Sequence, residues 1–167
     1  MTQTTGKTAI VFGGAGFIGS HLLETLQKSG AYDRLISCDI TGPRWQVPDV
    51  DYQIVDVCKP IDIVLEGPID EIYNFAAVHT TPGHEDWEYY WTNVLGATHV
   101  SDFARQRGVE KIVFTSSIAV YGPTEEPLDE TCALKPESAY GKSKYCGEQI
   151  HHQWQNENPK KRKLVII

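Results

Sequence analysis

Thr8-Ala9-Ile10-Val11-Phe12-Gly13-Gly14-Ala15-Gly16-Phe17-Ile18-Gly19 is the stretch from which the architecture follows. Thr8 to Phe12 is short, apolar and β-branched, which reads as a buried strand. The glycines make a turn, and a helical pattern follows with Ile18, Leu22, Leu23 and Leu26 on one side and Gly30 near its end. Strand, glycine turn and helix in this order form a dinucleotide-binding fingerprint. Gly13 permits the tight turn, Gly16 lets backbone approach a pyrophosphate, and Gly19 lets the helix pack close to the strand. Phe17 and Ile18 open the helix, whose N-terminal N–H groups and positive dipole end suit phosphate.

Further strands follow the first. Arg34 to Cys38 is the second and ends at Asp39, 20 residues after Gly19. An acid at that place accepts hydrogen bonds from an adenosine ribose. It repels a 2′-phosphate, so NAD is expected rather than NADP, with Arg44 as the one contrary signal. Tyr52 to Val55 is the third strand, ending at Asp56-Val57. Asp56 reads either as an acceptor for the adenine amino group, with Val57 against the ring, or as a helix cap for the segment after Lys59-Pro60. Ile69 to Phe75 is the fourth, closed by Asn74-Phe75-Ala76-Ala77, whose small residues let backbone lie against a cofactor.

Pro82 to Gln106 reads as one long helix with Trp87, Tyr90, Trp91, Val94 and Leu95 at helical spacings. Asn93 is a polar residue in that apolar company. Lys111 to Phe114 is a fifth strand, ending in Thr115-Ser116-Ser117 before Val120-Tyr121-Gly122. A helix runs from Ser138 to about Gln155, and Lys163 to Ile167 begins a sixth strand. Tyr140 and Lys144 stand four apart on that helix and so share a face. Alone, such a pair is an ordinary solvated face. With Ser117 delivered by a strand end, hydroxyl, phenol and ammonium make an acid–base device, because a nearby cation favours the phenolate.

Composition narrows the function. A chain of 167 residues suffices for one compact domain. A formal net charge of −7 argues against a nucleic-acid partner. Lys160-Lys161-Arg162-Lys163 reads as a solvated loop. No run nears the ~20 apolar residues of a membrane span, and the polar Met1 to Lys7 is no signal peptide. Cys38, Cys58, Cys132 and Cys146 lack metal-ligand spacing and read as reduced thiols of a cytoplasmic protein. No metal site is expected, and His151-His152 reads as a surface pair.

Alternating strands and helices give an α/β fold, a doubly wound parallel sheet with helices on both faces. Taken together, the glycine turn, Asp39, Asn74-Phe75-Ala76-Ala77, Ser117 with Val120-Tyr121-Gly122, and Tyr140/Lys144 resemble the extended short-chain dehydrogenase/reductase family. Within it the chain is similar to NAD-dependent nucleotide-sugar epimerases and dehydratases. The resemblance implies a Rossmann-type NAD-binding domain over residues 1–167, ending at the sixth strand. It makes Tyr140 the acid/base, Lys144 the holder of the nicotinamide ribose, Ser117 the orienter of a sugar hydroxyl, and Asn93 a support near the cofactor. Thr115 joins the cofactor-binding set.

It also implies a nucleotide-diphosphate sugar as substrate. A homodimer is implied as well, through helices around 87–106 and 138–155, with Trp87, Tyr90 and Trp91 on one and Tyr145, Ile150 and Trp154 on the other. Family dehydratases and decarboxylases carry an acid just after the catalytic Ser or Thr. Ile118 and Ala119 stand there instead, which favours epimerisation. A nucleotide-sugar dehydratase or reductase, a hydroxysteroid-type dehydrogenase and an idle NAD-binding module are the alternatives. Family members are about twice this long, so a C-terminal substrate-binding region is expected beyond this chain.

Overall fold

The computed structural model describes residues 6–79 and 83–167. Six strands form one parallel sheet: β1 (Thr8–Phe12), β2 (Arg34–Asp39), β3 (Val50–Ile54), β4 (Glu71–Asn74), β5 (Lys111–Phe114) and β6 (Lys163–Ile166). Their spatial order is β3-β2-β1-β4-β5-β6. The chain winds outward in one direction from β1 to β3 and then in the other from β4 to β6. The order therefore reverses between β1 and β4, where open α/β sheets place their ligands. Every residue of β1 is buried, which is why that strand carries no polar alternation.

The helices divide between the two faces. Helix α1 (Phe17–Ser29) sets Leu23 on Ala9, Val11 and Leu35. It ends at Gly30, whose φ of 63° supplies the left-handed cap. On the other face lie α3 (Leu95–Arg107) and α4 (Ala139–Asn156), packed over Ile10, Phe12, Ile72 and Ile112. Phe103 meets Phe12 edge to face, with ring centroids 5.9 Å apart.

Several expectations are corrected. The third strand spans Val50–Ile54, earlier than Tyr52 to Val55, and the fourth is trimmed to Glu71–Asn74. No helix follows Lys59-Pro60; irregular chain covers the core there with Ile61, Ile63, Leu65 and Ile69. The long helix is three pieces: α2 (Asp86–Tyr89), a π-helical turn (Tyr90–Val94) and α3. Its expected start at Pro82 lies outside the described residues. Trp154 and His151 are wholly buried, so neither lies on a surface.

After β5 the chain makes a 3₁₀ turn (Ile118–Val120) capped by Ser117. The polar loop that follows returns to its own root. The Lys135 N–H donates to the Val120 carbonyl at 2.9 Å. Gly122, at φ 81°, lies so close that a Cβ would sit 2.4 Å from the Lys135 oxygen.

Candidate active site

A cleft of about 690 Å³ opens at the carboxyl ends of the strands. Its first wall is the glycine turn. The Gly13 N–H donates to the Cys38 carbonyl at 2.8 Å. At φ 82°, a Cβ on Gly13 would sit 2.6 Å from the Ala76 nitrogen, so the turn is pressed onto the end of β4. A Cβ on Gly19 would sit 2.2 Å from the Gly13 oxygen, which fixes how closely α1 approaches the turn. Gly16 differs, because its Cβ would meet only the Gly13 oxygen, at 3.2 Å. Its φ of −67° is open to any residue. What the missing side chain leaves clear is the cleft. The first turn of α1 carries no acidic residue and its N-cap makes no side-chain hydrogen bond, so N–H groups are free for an anion.

The second wall joins β2, β3 and β4. Asp39 accepts from the Ala15 N–H at 2.9 Å through Oδ2 and from the Thr41 N–H at 3.3 Å through Oδ1. These bonds hold the carboxylate beside the turn. Asp56 caps a turn rather than a helix. It accepts from the Cys58 N–H at 2.9 Å, and that bond, with Lys59 beside it, holds its carboxyl below the usual range. Asp56, Val57, Phe75, Ala76 and Ala77 line the cleft with Phe17 and Ile18.

The third wall is the end of β5 with the start of α4. Ser138 caps α4 by accepting from the Gly141 N–H at 3.0 Å. A Cβ on Gly141 would sit 2.4 Å from the Ala119 carbonyl oxygen. That absence lets the helix start rest on the turn that Ser117 caps and brings the strand end to Tyr140. Gly141 has a role the sequence reading did not assign. Thr115, Ser116, Tyr140 and Lys144 line the cleft. Ser117 lies at its edge and is not part of that lining; its Oγ accepts from the Ala119 N–H at 3.2 Å. The Tyr140 ring packs against Tyr89, centroids 5.9 Å apart.

Lys144 is 2% exposed. Its ammonium sits 4.3 Å from the centroid of the Phe114 ring and makes no hydrogen bond among the described residues. Burial pushes it down to about 8, opposed by the Glu148 carboxylate. Beneath Phe114 lies His151, with ring centroids 4.8 Å apart. The Asn74 amide donates to His151 Nε2 at 3.0 Å. Nδ1 therefore carries the proton of the neutral ring and donates to Ser101 Oγ at 2.9 Å. Burial, with Lys144 nearby, holds the imidazole down to about 3.

Asn93 is buried and outside the cleft lining. It accepts from the Val78 N–H at 2.9 Å and donates to the Val78 carbonyl at 3.1 Å and to Ser143 Oγ at 2.9 Å. Ser143 in turn donates to the Tyr140 carbonyl at 2.7 Å. One amide thus ties the end of β4 to the turn of α4 that bears Tyr140. The π turn supplies it, since a wider turn re-aims a side chain within a helix.

The residues fit a dinucleotide. Space at Gly16, amides at α1, an ammonium at Lys144 and a buried hydroxyl at Thr115, the last three without partners among the described residues, all line one cleft. Among the described residues no His/Cys/Asp/Glu cluster could hold a metal. Also among them, no helix is long and apolar enough to cross a membrane.

Fold and cleft define a dinucleotide-binding α/β domain with a tyrosine and a buried lysine in its wall. The chain belongs to the NAD dependent epimerase/dehydratase family, whose model matches residues 9–166. It is 32% identical to the N-acetyl-alpha-D-glucosaminyl-diphospho-ditrans,octacis-undecaprenol 4-epimerase of Escherichia coli O157:H7, over 95% of this chain and 46% of that one. It is 34% identical to the UDP-glucose 4-epimerase of Lacticaseibacillus casei, over 87% of this chain and 46% of that one. A crystal structure of UDP-galactose 4-epimerase superposes with a TM-score of 0.83 at 28% identity, covering 95% of this chain and 54% of that chain. MoeE5 in complex with UDP-glucuronic acid and NAD gives 0.78 at 26% identity, covering 95% and 52%. The chain spans about half the length of the curated relatives it matches.

Proposed function

We propose that residues 1–167 are the NAD-binding and catalytic half of a nucleotide-sugar epimerase. The carrying observation is that Tyr140 and Lys144, one helical turn apart, line the same cleft as the glycine turn. Two named relatives of similar identity are 4-epimerases, which supports the reading. NAD, when bound, supplies a hydride acceptor for the sugar alcohol and a hydride donor for the 4-keto sugar that results.

The chain's own residues do the rest. The α1 N-terminus and Gly16 take the pyrophosphate, and Asp39 takes the adenosine ribose. Asp56 and Val57 take the adenine, and Phe75 to Ala77 and Thr115 lie along the cofactor. Lys144 holds the nicotinamide ribose, and Asn93 keeps Tyr140 in place. Tyr140 removes the proton from the sugar hydroxyl and returns it, while Ser117 orients that hydroxyl. Ile118 and Ala119 cannot take a proton, which argues against elimination and for epimerisation. A C-terminal half supplies the grip on the nucleotide sugar. The decisive experiment is Tyr140→Phe in the full-length protein. Turnover of the sugar nucleotide should fall about 10²–10⁴-fold, with NAD affinity nearly unchanged. Wild-type turnover would overturn the proposal.

The same reading includes a homodimer. Trp87 and Trp91 are 63% and 54% exposed beside Tyr90, an apolar surface next to α4. Tyr145 and Ile150 on α4 are part-exposed and extend it, whereas Trp154 is inside the protomer. A dimeric mass at micromolar concentration, lost on Trp91→Glu, is the expected result; a monomeric wild type would refute the dimer. Four free thiols support a reducing, cytoplasmic setting.

A further inference from the structure

We infer that Glu148 is a positioning residue for Lys144, anchoring the strand end through Ser116 and setting a carboxylate one helical turn beyond a buried ammonium. The inference rests on the proposed role of Lys144 in holding the nicotinamide ribose.

The geometry comes first. Lys144 and Glu148 stand four apart on α4 and therefore share a face. Glu148 is a carboxylate with only 6% exposure. A buried carboxylate needs hydrogen bonds, and Ser116 Oγ donates one to its Oε1. Ser116 lines the cleft beside Lys144, and its backbone N–H donates to the Ile167 carbonyl at 2.7 Å. The carboxylate is thus moored to the end of β5 and does not swing to solvent.

Electrostatics gives the mooring a purpose. A cation 2% exposed, resting on an aromatic face without a hydrogen bond, tends to lose its proton. Several other titratable groups surround the pair. On α4 they are Tyr140 and His151, and from the chain after the 3₁₀ turn comes Tyr121, which feels the Glu148 charge. From α2 comes Tyr89, packed on Tyr140, and α3 contributes, beyond His151, Arg105. His151 is held neutral and the Tyr121 phenol is pushed up by burial, so neither carries charge at neutral pH. The Glu148 carboxylate, one turn further along α4, opposes loss of the Lys144 proton. It keeps the lysine a cation where a ribose hydroxyl and a phenol both need one.

The test follows the Lys144 ammonium directly in the full-length protein. Lysine is labelled with ¹³C at Cε, and the Lys144 signal is assigned by its loss in Lys144→Met. In wild type it should titrate near 8. Glu148→Gln keeps an acceptor for Ser116 and removes the charge. It should lower the midpoint by about one unit, leaving NAD affinity equal at pH 6 and about fivefold weaker at pH 8. An unchanged midpoint would show that Glu148 serves packing alone and would overturn the inference. Should Glu148→Gln not fold, Glu148→Asp decides, with a smaller downward shift for the inference and none against it. Failure of every variant, wild type included, to bind NAD at any pH would refute the role of Lys144 instead, and the titration would still judge Glu148.

Discussion

Around Gly13, Gly16 and Gly19 the cleft is shaped by backbone and by three missing Cβ atoms. Around Tyr140 and Lys144 it is shaped by side chains held from beneath: Asn93 by the Val78 backbone, Lys144 by the Phe114 ring, Phe114 by His151. The difference follows from what each region must do. A pyrophosphate is bound by N–H groups that every residue owns, so the chain need only stay out of the way. An acid–base group must sit within a fraction of an ångström of its target, so it needs buried support.

The largest effect that separates the two regions is at Gly16. Gly16→Ala adds a methyl group at the cleft lining, against a single protein neighbour, the Gly13 oxygen at 3.2 Å. NAD affinity measured by calorimetry should fall about a hundredfold or more, while stability in urea changes by less than about 1 kcal/mol. If binding survived, the cleft would not be shaped for a pyrophosphate at that point. Gly19→Ala is the sharper control. Its Cβ would lie 2.2 Å from the Gly13 oxygen, so backbone must move. Stability should drop by about 1–3 kcal/mol, and NAD affinity should fall with it.

The smallest effect concerns the α4 side and is a matter of pH. His151 is neutral in the fold, held down to about 3, whereas an unfolded histidine titrates near 6.5. Between those values the unfolded chain binds more protons, so stability falls as pH drops below about 6.5. At pH 5, above most carboxylates, the loss attributable to His151 is on the order of 2 kcal/mol. Urea titrations of wild type and His151→Gln at pH 7 and pH 5 should show the smaller pH difference in the variant. Equal slopes would mean that the imidazole is not held neutral.

The same contrast explains what was legible in the sequence. The β1–α1 unit, the start of α4 near Ser138 and the Tyr140/Lys144 spacing are local, so periodicity and turn chemistry reveal them. Fourteen residues of the sequence-predicted site line one cleft, from Gly13 to Lys144. What stayed hidden depends on distant partners. His151 looks like half of a surface pair until Asn74, 77 residues away, and Ser101, 50 away, take its ring nitrogens. The π turn satisfies a bond from Asn93 to Val78, 15 residues earlier, and no helical period announces it. Irregular chain between β3 and β4 covers the core with spaced aliphatic residues, so no helical pattern was there to find.

The clasp between Gly122 and Lys135 separates the loop from the helix that follows it. Because the loop leaves and rejoins at one point, its length is decoupled from the placement of Tyr140. Lengthening such a loop adds only about 0.6 kcal/mol of closure entropy for each doubling. Residues 123–134 are thus a natural graft position, where evolution or an engineer can splice in a specificity segment, a tag or a reporter. Such a splice enters beside Tyr140 without redrawing the helix that carries it.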